Sequence, residues 1–211
     1  MSVNTTAIIY AYADQFVETR NRGGVQLPCR DVRVKKRDLG ATAIAAALIG
    51  LGEAGYVRLS LGTRRALFGL RKRPTVFAEP LQSAVSVGGL EGGLLASLDD
   101  DRDENAVRAV IERLLPVSGD PWADVIGRIE EGMLDQGYFA EQERERKMAR
   151  FFLGKKLDPD CQRIAALQEQ VPSVRQMLDG FRKANQELYD QLIDDVSKGI
   201  RARQEVDMDM D

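Results

Sequence analysis

Apolar residues recur at three- and four-residue steps through most of the chain, a spacing that predicts helices over the greater part of its length. Ile44, Leu48 and Leu51 fall in an alanine-rich stretch that reads as a helix over residues 40–54, with Asp38 as its cap. The small residues Ala41, Ala43, Ala45, Ala46, Ala47 and Gly50 would let a neighbouring helix approach closely. A short helix is expected over residues 90–98, behind a flexible joint at Gly88 and Gly89. Another begins at Asn105, carries Val107, Val110, Ile111 and Leu114, and is closed by Pro116. Asp120 and Pro121 form a cap-then-proline start for a helix through Trp122, Val125, Ile126, Ile129 and Met133. At the N-terminus, Thr5 and Thr6 precede Ile8, Ile9, Tyr12 and Phe16, giving a helix that ends near Arg22 and Gly23. Residues 25–34 alternate weakly around Pro28 and read as a short extended or hairpin segment.

Two of these helices end alike. Leu51 leads to Gly55, Tyr56 and Val57, and Leu134 leads to Gly137, Tyr138 and Phe139. A glycine able to take positive φ closes the last helical turn, and a strand follows at once. After the first exit, Val57, Leu59 and Leu61 alternate with Arg58 as a half-buried strand. Residues 62–65 then read as a turn, and residues 66–78 as a return ending in Thr75, Val76 and Phe77. Pro74 argues against a central strand there. After the second exit, residues 138–140, a charged tip over 141–147 and a return over 149–153 make a second wing. Its adjacent Phe151 and Phe152 cannot both face inward, so one is left for cover by the C-terminal helices or as an anchor on a membrane or partner. The fold class is therefore mainly α with short β-hairpins: two winged-helix-like helix-to-hairpin units plus C-terminal helices.

Asp158 and Pro159 are expected to start a helix that reaches Pro172. From Ser173 a long helix follows, with Val174, Leu178, Phe181, Leu188, Leu192, Val196 and Ile200 on one stripe. Leu178, Phe181, Asn185, Leu188 and Leu192 would form an oligomer seam, the asparagine setting its register; the same stripe equally suits a helix lying along its own domain. The organisation expected is a helical domain with two hairpins over 1–160, C-terminal helices over 161–205, and a disordered acidic tail over 206–211.

Composition narrows the chemistry. The 211 residues include no histidine, which removes histidine-based nucleophilic sites, histidine general bases and most zinc sites. No catalytic residue, metal site or cofactor is assigned. The two cysteines, Cys29 and Cys161, lie far apart without CxxC spacing and read as reduced cytosolic thiols rather than a disulfide. Residues 39–52 are too short to span a bilayer, and residues 1–13 lack the positive charge of a secretory signal. The expected location is cytoplasmic, with association to membranes.

Charge is uneven. Residues 20–73 carry thirteen Lys and Arg against three acids, a net of +10, and the remainder carries a net of −13. One cluster is Arg30, Arg33, Lys35, Lys36 and Arg37. The second, Arg58, Arg64, Arg65, Arg71, Lys72 and Arg73, follows the first exit and is the candidate anion or lipid site. The alternative is neutralisation by acids of the same chain or of a neighbour, such as those of residues 99–104.

As an ordered pattern, the stretches 44–65, 89–98 and 122–153 resemble the Golgi phosphoprotein three family and its bacterial relatives, over roughly residues 40–160. The resemblance implies a compact, mainly helical, non-enzymatic domain that sits on membranes by recognising a phosphoinositide head group, helped by an apolar hairpin. The chain departs from the pattern where it matters most: positions at which eukaryotic members carry lipid-binding arginines fall on Ile44, Ala123 and Ile126, none of which binds phosphate. Any anion site must use the local arginines. The expected function is a peripheral-membrane or adaptor protein whose partner is an anionic membrane surface or an acidic protein. A winged-helix nucleic-acid binder and a structural subunit of a homo- or hetero-oligomer are the alternatives. The helices before the exits are poor in bases, which weakens the nucleic-acid reading: 40–54 has none, and 121–136 has only Arg128.

Overall fold

A computed structural model of the chain describes residues 5–66, 71–82, 88–117, 119–142 and 156–205. Helix α2 (Lys36–Glu53) is the axis of the fold. It is buried from Leu39 through Gly40 and again from Ala43 to Leu51, because a helix of Ala, Gly, Leu and Ile has no polar face to turn outward. Helices α1 (Thr5–Ala11), α3 (Gly89–Ala96), α5 (Pro121–Asp135) and α8 (Gln186–Glu205) all pack against it, and α4 (Val107–Leu114) lies along α8. At Gly40 the small residue admits the indole edge of Trp122, and Gly89 meets Gly132 where α3 crosses α5. A methyl group on Gly132 would come within 2.9 Å of the Gly89 Cα.

The fold is mainly α with short antiparallel hairpins, as expected. Both exits share one hydrogen-bonding scheme. Tyr56 N–H donates to the Leu51 carbonyl and Gly55 N–H to that of Gly52; Tyr138 N–H donates to Met133 and Gly137 N–H to Leu134. Gly55 and Gly137 take φ of +77° and +73°, which closes the last turn with paired carbonyls. Each exit leads into a hairpin, and the strand-end carbonyls of Tyr56 and Tyr138 accept from Leu81 and Asp160 as the chain returns.

Strand β4 (Val57–Ala66) pairs with β5 (Arg71–Pro80), from Val57 opposite Pro80 to Ala66 opposite Arg71. Residues 62–65, expected as a turn, are strand, and the hairpin is longer than the alternation of Val57, Leu59 and Leu61 suggested. Pro74 is accommodated because a two-stranded hairpin has a free edge. Strand β6 (Phe139–Gln142) pairs with β7 (Lys156–Pro159), and residues 149–153, expected as the return of this wing, lie outside the described residues. The next helix, α6 (Cys161–Ala166), consequently starts after Asp158 and Pro159, capped by Asp160, whose carboxylate accepts from Gln162 and Arg163 N–H.

The N-terminal helix is shorter than its apolar spacing implied. It stops at Ala11, a single 3-10 turn covers Ala13–Gln15, and β1 (Thr19–Arg20), β2 (Val25–Gln26) and β3 (Arg33–Val34) form a small sheet ordered β1-β3-β2. Helix α2 begins four residues early, so Asp38 lies in its first turn instead of capping it.

The C-terminal stripe is not one helix. Backbone angles of φ −142° and ψ 56° at Asn185 end α7 (Val171–Ala184) and start α8. Asparagine's side chain competes for backbone groups, so it suits a break better than a helix interior. Leu188 and Leu192 are buried with Val196 and Ile200 in the cluster that also holds Ala7, Ile44 and Trp122, while Asn185 is exposed and Leu178 and Phe181 are half-buried. The expected continuous seam is thus two helices, its second half covered within the chain, and residues 1–160 and 161–205 share one core.

A second correction concerns the cysteines. Cys29 and Cys161, 132 residues apart, form a disulfide with a Cα–Cα distance of 5.6 Å. The turn between β2 and β3 and the start of α6 meet only in the folded chain, so sequence spacing carried no sign of the pairing.

Candidate functional site

The predicted basic strand-turn is the outer half of the β4–β5 hairpin. Its inner half is wedged into the body: Val57, Val76 and Ala78 are buried on one face, Thr75 and Phe77 on the other. Three contacts hold it. Ala78 N–H donates to the carbonyl of the buried Asn105, 2.9 Å away, extending the sheet by one bridge between Phe77 and Ala106. The Phe77 ring folds across Gly62, where a methyl group would come within 2.6 Å of the ring, and the Arg102 guanidinium lies 5.8 Å from the ring centroid. The third contact is a buried carboxylate. Asp195 of α8 accepts from Val76 N–H at 2.7 Å and Thr75 O–H at 2.8 Å through Oδ2, and from Gln191 at 2.8 Å through Oδ1.

With the base fixed, register decides where the cations stand. Arg64 lies directly opposite Arg73, Arg65 opposite Lys72, and Arg71 opposite Ala66. Directly opposed like charges cost roughly 0.2–1 kcal/mol per pair, so hairpin stability does not account for the arrangement. Arg58, nearer the base, is 3.9 Å from Glu79, which also takes Arg102 at 2.5 Å. Arg64 and Arg73 are exposed, and their side chains carry no ion pair or hydrogen bond among the described residues. The acids of residues 99–104 do not reach them: Asp99 and Asp101 accept from Asp101 and Asp103 N–H within their own turn. The alternative of internal neutralisation therefore holds for Arg58 and fails for Arg64 and Arg73.

Arg64 and Arg73 open onto a cleft of about 570 Å³ shared with α4 and α8. Arg108 and Lys198 also line it, but each is paired on its own helix, with Glu112 at 2.7 Å and Asp194 at 2.5 Å. Sequence reasoning missed Thr75 and Asp195, the pair that positions the hairpin. The only sign of Asp195 in the sequence was an acid beside the apolar stripe of α8, at Val196. In the first basic cluster, Arg30 is spent on a two-bonded pair with Asp14, Lys35 lies near Glu18 and Asp38, and Lys36 pairs with Asp120.

Phe151 and Phe152 lie outside the described residues. Ile44 and Ile126 are core residues, so neither position offers an anion contact. Among the described residues no helix is long and apolar enough to cross a membrane. Comparison with known proteins finds no matching protein family, no matching curated protein and no matching solved structure.

Proposed function

We propose that this chain is a non-enzymatic peripheral-membrane or adaptor protein that recognises anionic head groups with the outer half of the β4–β5 hairpin. The observation that carries the reading is the register that sets Arg64 directly opposite Arg73, both exposed and without an acidic partner among the described residues. Each basic residue near an anionic surface contributes about 1 kcal/mol, so Arg64 and Arg73, which register places on one face of the ribbon, contribute about 2 kcal/mol when that face meets the surface. The nucleic-acid alternative is disfavoured because α2, which leads into this hairpin, is enclosed by other helices and has no face free to enter a groove.

Co-sedimentation with anionic and with neutral vesicles tests the reading. Wild type is expected to pellet with anionic vesicles and to be released by salt, and Arg64→Glu with Arg73→Glu to lose most of that binding. Binding to anionic vesicles no greater than to neutral ones would rule the proposal out.

A further inference from the structure

The β4–β5 hairpin has two edges, and the body of the protein covers one of them. Along the far edge of β5 the backbone donors are accounted for one by one. Val76 N–H donates to Asp195 at 2.7 Å and Ala78 N–H to the Asn105 carbonyl at 2.9 Å, while Pro74 and Pro80 have no N–H to place. In an antiparallel pair, residues that bond across to the partner strand alternate with residues whose N–H and C=O point away from it. Val76 and Ala78 therefore belong to the outward set. Register places Leu61 opposite Val76, Leu59 opposite Ala78 and Thr63 opposite Pro74, so these three belong to the outward set of β4. The bond from Leu81 N–H to the Tyr56 carbonyl falls in the inward set and agrees with this phase.

Leu59, Leu61 and Thr63 consequently turn both N–H and C=O toward an edge that no strand pairs with among the described residues. No hydrogen bond from the described residues reaches any of these groups. Leu61 and Thr63 are exposed, and the ten-residue strand runs in unbroken register without a bulge or a proline. Proteins shorten, bulge, charge or cover such an edge, because it is a template for pairing with another chain. Charge is the one such device here. Arg58 and Arg64 share a face of β4, and a second copy paired antiparallel about Leu61 would set Arg58 of each chain opposite Arg64 of the other. Like charges directly opposed destabilise a sheet, so the edge discourages its own copy.

We propose that β4 takes an extended acidic peptide of a partner protein as a third strand of this sheet. The backbone of Leu59, Leu61 and Thr63 supplies the ladder, which is sequence-tolerant, and the arginines supply the choice of partner. Side chains of an added strand alternate between the two faces, so acids at alternate positions stand beside Arg58 and Arg64. Arg64 has no acidic partner among the described residues. At the other end Glu79 is shared between Arg58 at 3.9 Å and Arg102 at 2.5 Å, which leaves that end of the face positive as well. The acidity of the partner rests on the reading of the hairpin as an anion-binding element; the strand addition rests on backbone atoms that reading does not use.

The probe is the peptide acetyl-Glu-Val-Glu-Val-Glu-Val-Glu-amide, added to the full chain and followed by amide hydrogen exchange at single residues. In the free protein the Ser60 and Gly62 amides are expected to be protected and those of Leu59, Leu61 and Thr63 to exchange freely. Saturating peptide is expected to slow the last three by about tenfold or more. The same peptide N-methylated at its valines keeps every charge and loses the donors that would face β4, so it is expected to bind about tenfold weaker or worse. Leu61→Pro removes one edge N–H and no ladder bond, and is expected to weaken peptide binding while Leu61→Ala does not. If Leu61→Pro lowers the thermal transition, the N-methylated peptide on wild type decides alone. Peptide protection without vesicle binding would uphold this site and refute the membrane reading only. No saturable protection at the three amides would overturn the proposal, as would equal binding by the N-methylated peptide or by one with lysine in place of glutamate. Protection that grows with protein concentration in the absence of peptide would overturn it too, giving the edge to a second copy.

Discussion

Replacing Cys29 and Cys161 together by serine removes the one covalent link between the N-terminal sheet and the start of α6 among the described residues. The magnitude follows from the loop the link closes. With 132 residues between its ends, the chain-entropy relation gives about 5 kcal/mol at 25 °C as the constraint placed on the unfolded state. Residual structure in the unfolded chain lowers that figure, so a loss of about 2–5 kcal/mol is expected. The assay is equilibrium urea unfolding of three samples: oxidised wild type, wild type reduced with dithiothreitol, and the double variant. The midpoint is expected to fall by a similar amount in the last two. Their denaturant slope is expected to rise, because an uncrosslinked unfolded chain exposes more surface. A double variant within about 0.5 kcal/mol of oxidised wild type would refute the reasoning. Two titratable thiols in denatured, unreduced wild type would do so as well, and would restore the expectation of a reduced pair.

The Glu91 carboxylate is 4% exposed and accepts from Thr6 N–H at 3.1 Å and Thr6 O–H at 2.7 Å, and burial pushes its pKa above the ordinary carboxylate value. A raised acid contributes most below its unfolded pKa of about 4.3 and loses that contribution as pH rises through its folded pKa; wild type should therefore lose stability relative to Glu91→Gln between about pH 4 and neutrality, and a gap that stays constant across that range in urea titrations would contradict the assignment. Asp195→Ala strands the Val76 N–H and Thr75 O–H inside the base of the basic hairpin and is expected to cost about 3 kcal/mol, with Asp195→Asn costing less. Thermal unfolding checks it, and equal losses for the two variants would show that the carboxylate oxygens are not what holds the hairpin.

The helix-to-hairpin units were legible because their causes are local. A glycine three to four residues after the last apolar contact, followed by a tyrosine, was enough to place both exits, and Asp120 with Pro121 was enough to start α5. Local signals misplaced the elements whose limits depend on a distant partner. The alternation after Gly55 ended the first strand near Leu61, yet pairing with β5 carries it to Ala66. The stripe from Val174 to Ile200 keeps its period across Asn185, although the backbone does not.

The candidate site divides in the same way. Sequence by itself determined the helical class, the two glycine exits and the concentration of positive charge in residues 20–73, because propensity, turn geometry and net charge are properties of neighbouring residues. Tertiary structure decided which of those charges remain available. Arg30, Lys36 and Arg58 face carboxylates brought from 16, 84 and 21 residues away, while Arg20, Arg37, Arg64 and Arg73 form no ion pair among the described residues. It also joined Cys29 to Cys161 and set Trp122 beside the start of α2. Ion pairing, disulfide formation and cleft lining depend on distances of a few ångströms between segments that are remote along the chain, and only the packing around α2 fixes those distances.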